Sequence, residues 1–215
     1  MRKIRIAQVR LDRGELRAVE QVLKSGNLRQ GQVTEDFEKG FARAVGARFA
    51  VAVNSGTAAL FLAYRLMLKP GDEVIVPDFT FAATASMATA AAATPVFADV
   101  DPKTFNLDAA DVERRITRRT RAIVPVHLFG YPADIARLSA LARRHRLRVI
   151  WDAAQAHGAR FRGRDVGSFR DVACYSFYPS KNMTTGEGGM ITISDPSLAS
   201  EFRLRRSHGE ESRYK

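Results

Sequence analysis

Seven short runs rich in β-branched and other apolar residues recur along this chain, and what lies between them decides the fold. They are Phe49–Val53, Glu73–Pro77, Thr94–Ala98, Ala122–Val126, Arg148–Trp151, Val172–Phe177 and Met190–Ile193. Each has the length of a strand and is largely uncharged, as a strand covered on both faces should be. Among the first six lie Thr57–Leu68, Thr84–Ala92, Asp108–Ile116 and Ile135–Arg146, all long enough for crossover helices. The alternation predicts an α/β fold with a mostly parallel seven-stranded sheet sandwiched by helices. The last run follows its neighbour through a Gly-rich turn, which allows an antiparallel pairing. Asp12–Lys24 and Thr34–Val45 read as amphipathic helices ahead of the sheet, and Asp195-Pro196 opens a helical stretch to Arg206. Thr34 followed by Phe37 is not a capping box, so the start of the second helix is not fixed by it. No repeat, linker or interior boundary interrupts residues 1–215, so one domain is expected, with residues 1–45 as its helical N-terminal segment.

Composition narrows the class. With 46% hydrophobic and 27% charged residues, the chain has the makeup of a globular domain, not of a disordered or collagen-like one. Cys174 is the only cysteine, which excludes an internal disulfide and a multi-cysteine zinc site. The opening Met1-Arg2-Lys3-Ile4-Arg5-Ile6 is basic but lacks the apolar run of a secretory signal. The longest uncharged stretch, Phe79 to Ala98, is mostly Ala and Thr and too weakly apolar to span a bilayer. A soluble, cytoplasmic chain without a membrane partner is expected. The net charge of +11 is mostly arginine, concentrated at Arg114 to Arg121, Arg143 to Arg148 and Arg160 to Arg170. The first two clusters fall on stretches that read as solvated helix faces, and neither interleaves aromatics for base stacking. No nucleic-acid partner is expected.

In open α/β sheets, ligands sit beyond the carboxyl ends of the strands. After the first run comes Asn54-Ser55-Gly56-Thr57-Ala58-Ala59-Leu60. A small-residue turn that opens a helix offers unpaired amides and the positive end of the helix dipole, a fit for phosphate. A plain N-cap at Ser55 or Thr57 explains the same residues and, for this motif alone, is the simpler reading. After the fifth run, Trp151-Asp152-Ala153-Ala154-Gln155-Ala156-His157-Gly158 sets an acid where a buried strand ends. Such a carboxylate must be paired, and a protonated heterocyclic nitrogen serves as well as a helix amide. His157 has no His or Cys at a chelating spacing, so no metal site is expected.

The sixth run leads into Ser176-Phe177-Tyr178-Pro179-Ser180-Lys181-Asn182 and then Gly186-Glu187-Gly188-Gly189. Lys181 sits between two turn-forming stretches in apolar surroundings, where an amine can attack a carbonyl. A solvated loop lysine is the plain alternative, and the glycines alone fit a tight turn equally well. The conjunction says more than its parts. A phosphate-shaped turn, an acid, and then Ser176 with Lys181 match the needs of pyridoxal 5′-phosphate. That cofactor requires a phosphate cradle, an anion for its ring nitrogen, a stacking partner and an amine for its aldehyde.

These motifs together resemble the DegT/DnrJ/EryC1/StrS family of sugar aminotransferases, within the aspartate-aminotransferase fold (fold type I). The resemblance includes Ser25-Gly26-Asn27-Leu28, Phe37-Glu38, Pro77-Asp78-Phe79-Thr80-Phe81, Ala98-Asp99-Val100 and Pro125-Val126-His127-Leu128-Phe129-Gly130, besides the three segments above. It covers nearly the whole chain, in order and with matching spacing.

The resemblance implies that Lys181 bonds the cofactor aldehyde and later shuttles the proton. Asp152 is implied as the partner of the ring nitrogen, Gln155 as the neighbour of the ring hydroxyl and Phe81 as the stacked aromatic. Gly56, Thr57 and Ser176 are implied as phosphate ligands, with His127 and His157 in support at most. A dehydratase branch of the family replaces the lysine with histidine, so Lys181 favours transamination. The implied reaction moves an amino group from an amino acid, glutamate by resemblance, to a keto sugar on a nucleoside diphosphate, in a homodimer at least. Ala82–Ala93 suits close backbone approach, either at that interface or in a packed core helix. Family members continue past Lys215 into a small C-terminal domain, so 1–215 is expected to be the cofactor-binding large domain with its partner domain missing. The alternative is a truncated, inactive cofactor-binding remnant.

Overall fold

In the computed structural model, which describes residues 7–169 and 171–209, the seven expected runs form one sheet. The basic opening hexapeptide, Arg170 and the end of the polar stretch after Ser207 lie outside the described residues. Strands β1 (Phe49–Val53), β2 (Glu73–Pro77) and β3 (Thr94–Ala98) fall on the expected runs. They are followed by β4 (Thr120–Ile123), β5 (Arg148–Asp152), a hairpin of β6 (Arg160–Phe161) and β7 (Arg164–Asp165), β8 (Val172–Ser176) and β9 (Gly189–Ile193). The order across the sheet is β1-β9-β8-β5-β4-β2-β3. All neighbours pair parallel except β9, which runs antiparallel to both β8 and β1. A return without a crossover helix permits only that direction.

One expectation is corrected. The fourth strand is Thr120–Ile123, not Ala122–Val126. Pro125 has no amide to give the ladder, and beyond it only an isolated bridge between Val126 and Asp152 remains. The β6–β7 hairpin was not foreseen. Its strands are two residues long, and Arg162 and Gly163 both take positive φ (51° and 79°) as a two-residue turn of this hand requires.

Seven α-helices occur among the described residues: α1 (Arg13–Ser25), α2 (Gln32–Val45), α3 (Gly56–Met67), α4 (Ala83–Ala90), α5 (Ala109–Arg115), α6 (Ile135–His145) and α7 (Pro196–Arg205). Side-chain caps explain most starts: Asp12, Ser55, Asp108, Asp134 and Asp195 each accept an amide of the first turn. α2 starts behind Gly31 with no side-chain cap, ahead of Thr34. Alternation along β2 divides the core into two layers. Ile75 joins Phe41, Val112, Leu138 and Trp151 under α2, α5 and α6. Val74 and Val76 join Leu60, Tyr64, Ala88 and Phe202 under α3, α4 and α7. α1 buries none of its residues. The first arginine cluster is partly engaged within the fold: Arg114 and Arg115 flank Asp111, and Arg119 meets Glu73 at 2.6 Å. Among the described residues no helix is long and apolar enough to cross a membrane.

Candidate active site

The register Val53↔Gly189↔Ser176 puts the ends of β1 and β8 on one edge of the sheet, with the start of β9 between them. β5 ends on the same edge, because Asp152 pairs with Cys174 of the parallel strand β8. Two glycines let these backbones converge. A Cβ on Gly189 would collide with the Ser55 carbonyl, and one on Gly56 would lie 2.7 Å from the Ser176 Cβ.

A cavity of about 520 Å³ opens at this edge. Its wall contains all seven residues singled out from the sequence: Gly56, Thr57, Phe81, Asp152, Gln155, Ser176 and Lys181. A larger cleft of about 870 Å³ lies between the α1–α2 connection and α3, and it holds neither Asp152 nor Lys181.

The Ser55 side chain does cap α3, accepting the Ala58 amide at 3.1 Å. The cap and the phosphate reading are compatible, because the first amides of a helix lack intrahelical acceptors. Gly56 and Thr57 supply those amides, and the Ser176 hydroxyl stands against Gly56. The helix-cap alternative for Asp152 falls away, because the segment directly after β5 runs through turns to β6 without a helix. Asp152 is instead a buried acceptor: Oδ1 takes the Ala154 amide at 3.1 Å, and Oδ2 takes the Thr84 hydroxyl at 2.9 Å. Burial pushes its carboxyl pKa up, while these two bonds and the Lys181 charge pull it back.

Lys181 is half-buried in the loop between β8 and β9. Its amide bonds the Tyr178 carbonyl at 2.9 Å, and Thr184 and Thr185 tie the loop back to the Phe177 carbonyl. Gln155 accepts the Phe129 amide through Oε1 at 2.8 Å, which leaves its NH2 end as donor. That amide is offered by a strained turn, for Phe129 has φ 54°. Buried Asn106 braces the same turn, accepting the Leu128 amide and donating to the Tyr131 carbonyl.

Phe81 is 70% exposed at the cavity wall. The two histidines stand outside that wall. His127 accepts the Ala133 amide through Nδ1 and stacks on Trp151 (5.4 Å between centroids), and burial lowers its pKa to about 3. His157 lies among Phe41, Tyr175 and Phe177, where burial also lowers its pKa. No cluster of three or more His, Cys, Asp or Glu residues suited to a metal occurs among the described residues.

Sequence reasoning missed Thr80, Thr84, Tyr178, Ser180 and Glu187 at or behind this wall. Tyr178 and Ser180 lie inside the Lys181 motif and Glu187 inside the glycine-rich turn, so those motifs carried a signal. Thr84 carried none, since a threonine among alanines reads as ordinary helix.

The model of the DegT/DnrJ/EryC1/StrS aminotransferase family matches residues 9–215. The chain belongs to that family. Among its relatives, the GDP-perosamine synthase of Caulobacter vibrioides is 48% identical over 96% of this chain and 56% of its own length. The dTDP-3-amino-3,4,6-trideoxy-alpha-D-glucose transaminase of Streptomyces venezuelae is 47% identical over 92% of this chain and 52% of its own length. A Streptococcus pneumoniae protein solved in its PLP-form superposes with a TM-score of 0.90 at 32% identity, covering 94% of this chain and 57% of that one. This DegT-family chain thus spans about half the length of the curated relatives it matches. The fold is theirs as well: helices on both faces of a mostly parallel seven-stranded sheet.

Proposed function

We propose that this chain is the pyridoxal-phosphate-binding domain of an aminotransferase that acts on a nucleoside-diphosphate-linked keto sugar, with glutamate as amino donor. One observation carries the reading: Asp152, Lys181 and the N-terminal amides of α3 line a single cavity. The fit is chemical as well as spatial. A buried carboxylate with both oxygens already accepting hydrogen bonds suits a cationic ring nitrogen. The close approach of Gly56 to Ser176 sets backbone amides beside a hydroxyl, the donor set a phosphate dianion needs. The names of the relatives, which specify GDP- and dTDP-linked sugars, support the substrate class.

When bound, pyridoxal 5′-phosphate supplies an electron sink for the pair released when the substrate Cα–H bond breaks. The protein does the rest. Gly56, Thr57 and Ser176 would hold the phosphate, and Phe81 would supply the aromatic partner of the ring. Gln155 donates its NH2 to the ring hydroxyl, held in that sense by the Phe129 amide on its other end. Asp152 keeps a proton on the ring nitrogen. Lys181 Nζ would hold the cofactor through its aldehyde, and the same amine is placed to serve as general base for the substrate Cα proton.

The same reading includes a cytoplasmic homodimer. Its support is the aromatic surface beside the cavity, where Phe81 and Phe129 are 70% and 73% exposed and Phe79 packs on Phe105. Absorbance spectroscopy tests the assignment: the chain mixed with pyridoxal 5′-phosphate should gain a visible band that Lys181→Ala removes. A band that is identical without the lysine contradicts the role of Lys181.

A further inference from the structure

Two hydroxyls in series stand behind Asp152. Thr84 Oγ1 donates to Asp152 Oδ2 at 2.9 Å, and Thr80 Oγ1 lies 3.0 Å from Thr84 Oγ1. A threonine hydroxyl has one hydrogen. Thr84 commits its own to the carboxylate, so the Thr80 hydroxyl is the donor of the second bond. The relay therefore runs one way, from Thr80 on the cavity wall through Thr84 to Asp152. Thr84 is fully buried, and its carbonyl accepts the Tyr64 hydroxyl at 2.6 Å, which fixes the start of α4 against α3. Valine would fill the same space without a hydroxyl, so packing alone does not ask for threonine here.

We propose that Thr84, polarised by Thr80, is a positioning residue for Asp152: it fixes the carboxylate and keeps the shared proton on the cofactor's ring nitrogen. The inference rests on the reading of Asp152 as the partner of that nitrogen. A hydrogen bond donated to a carboxylate stabilises its charged form and makes it a poorer base. Without the Thr84 hydroxyl, the proton between ring and acid moves toward Asp152. The other titratable groups acting on Asp152 are Lys181 of the β8–β9 loop, Tyr64 of α3 and Cys174 of β8. Tyr64 spends its hydrogen on the Thr84 carbonyl, and burial holds the Cys174 thiol protonated. Thr84 is thus the side chain that donates to the acid among the described residues.

The test is the pH titration of the visible band of pyridoxal 5′-phosphate bound to the full chain, in the unsubstituted protein, Thr84→Val, Thr84→Ser and Asp152→Asn. A ring nitrogen that loses its proton withdraws less charge, so the midpoint of the titration rises. Thr84→Val should raise it by about one pH unit, the scale of one hydrogen bond to a charged group. Asp152→Asn should shift it in the same direction, and Thr84→Ser should restore it. An unshifted midpoint in Thr84→Val overturns the proposal. If circular dichroism shows that Thr84→Val does not fold, Thr80→Val replaces it with a smaller shift expected, and no shift there overturns it equally. Absence of any band in the unsubstituted chain is a separate failure, which removes the cofactor reading and this inference together.

Discussion

Gly56 and Ser176 touch so closely that a methyl group on the glycine would stand 2.7 Å from the serine Cβ. The contact joins the N-terminus of α3 to the end of β8, and so brings one edge of the cavity together from two distant segments. Gly56→Ala must push these apart. Overpacking of this kind costs about 1–3 kcal/mol. The expected result is a lower urea midpoint together with a pyridoxal-phosphate dissociation constant raised at least roughly tenfold, a loss of about 1.4 kcal/mol. Unchanged affinity would remove this junction from the phosphate site.

His127 carries a pH dependence that can be read in stability. Its pKa is about 3 in the folded protein, against 6.5 for an ordinary histidine. The unfolded chain therefore binds the extra proton between these values, and stability rises with pH across that window. The contribution is complete above pH 6.5 and is lost as pH falls through it, with a slope of up to about 1.4 kcal/mol per pH unit. Urea unfolding at pH 5 to 7 should be steeper in pH for the parent than for His127→Asn, whose amide oxygen can still accept the Ala133 amide. Equal slopes would contradict the burial argument.

Glu38 is a buried anchor between three elements. It accepts the Ala52 amide of β1 at 2.9 Å and bonds Arg206, which follows α7 and also reaches the Ala52 carbonyl. Both side chains are largely out of water, with 4% and 11% exposure. Removing one partner strands a charge, so Glu38→Ala should cost about 3–5 kcal/mol in denaturant unfolding. Replacing both, as Glu38→Leu with Arg206→Met, should recover a large part of that loss. A single substitution that costs nothing would show the pair to be solvated.

Much of this was legible in the sequence, for identifiable reasons. Strands such as Glu73–Pro77 are short, apolar and bounded by turn residues, so their limits could be read directly. The seven cavity residues lie in motifs at strand ends, where topology brings distant segments to one edge. The β4 boundary slipped because apolar residues continue through Pro125 while the hydrogen-bond ladder does not. The Arg160–Asp165 hairpin was invisible because two-residue strands show no alternation, and its turn rests on an arginine with positive φ. Thr84 was hidden for another reason: its partner Asp152 is 68 residues away, and only folding reveals that one hydroxyl serves it.

Borohydride reduction tests the central claim most directly. The full chain is equilibrated with pyridoxal 5′-phosphate, reduced, digested and analysed by peptide mass spectrometry. The account predicts a phosphopyridoxyl mass on the peptide that contains Lys181, absent or greatly diminished in Asp152→Ala at limiting cofactor. Label spread over the surface lysines, or a modified peptide that lacks Lys181, would contradict it.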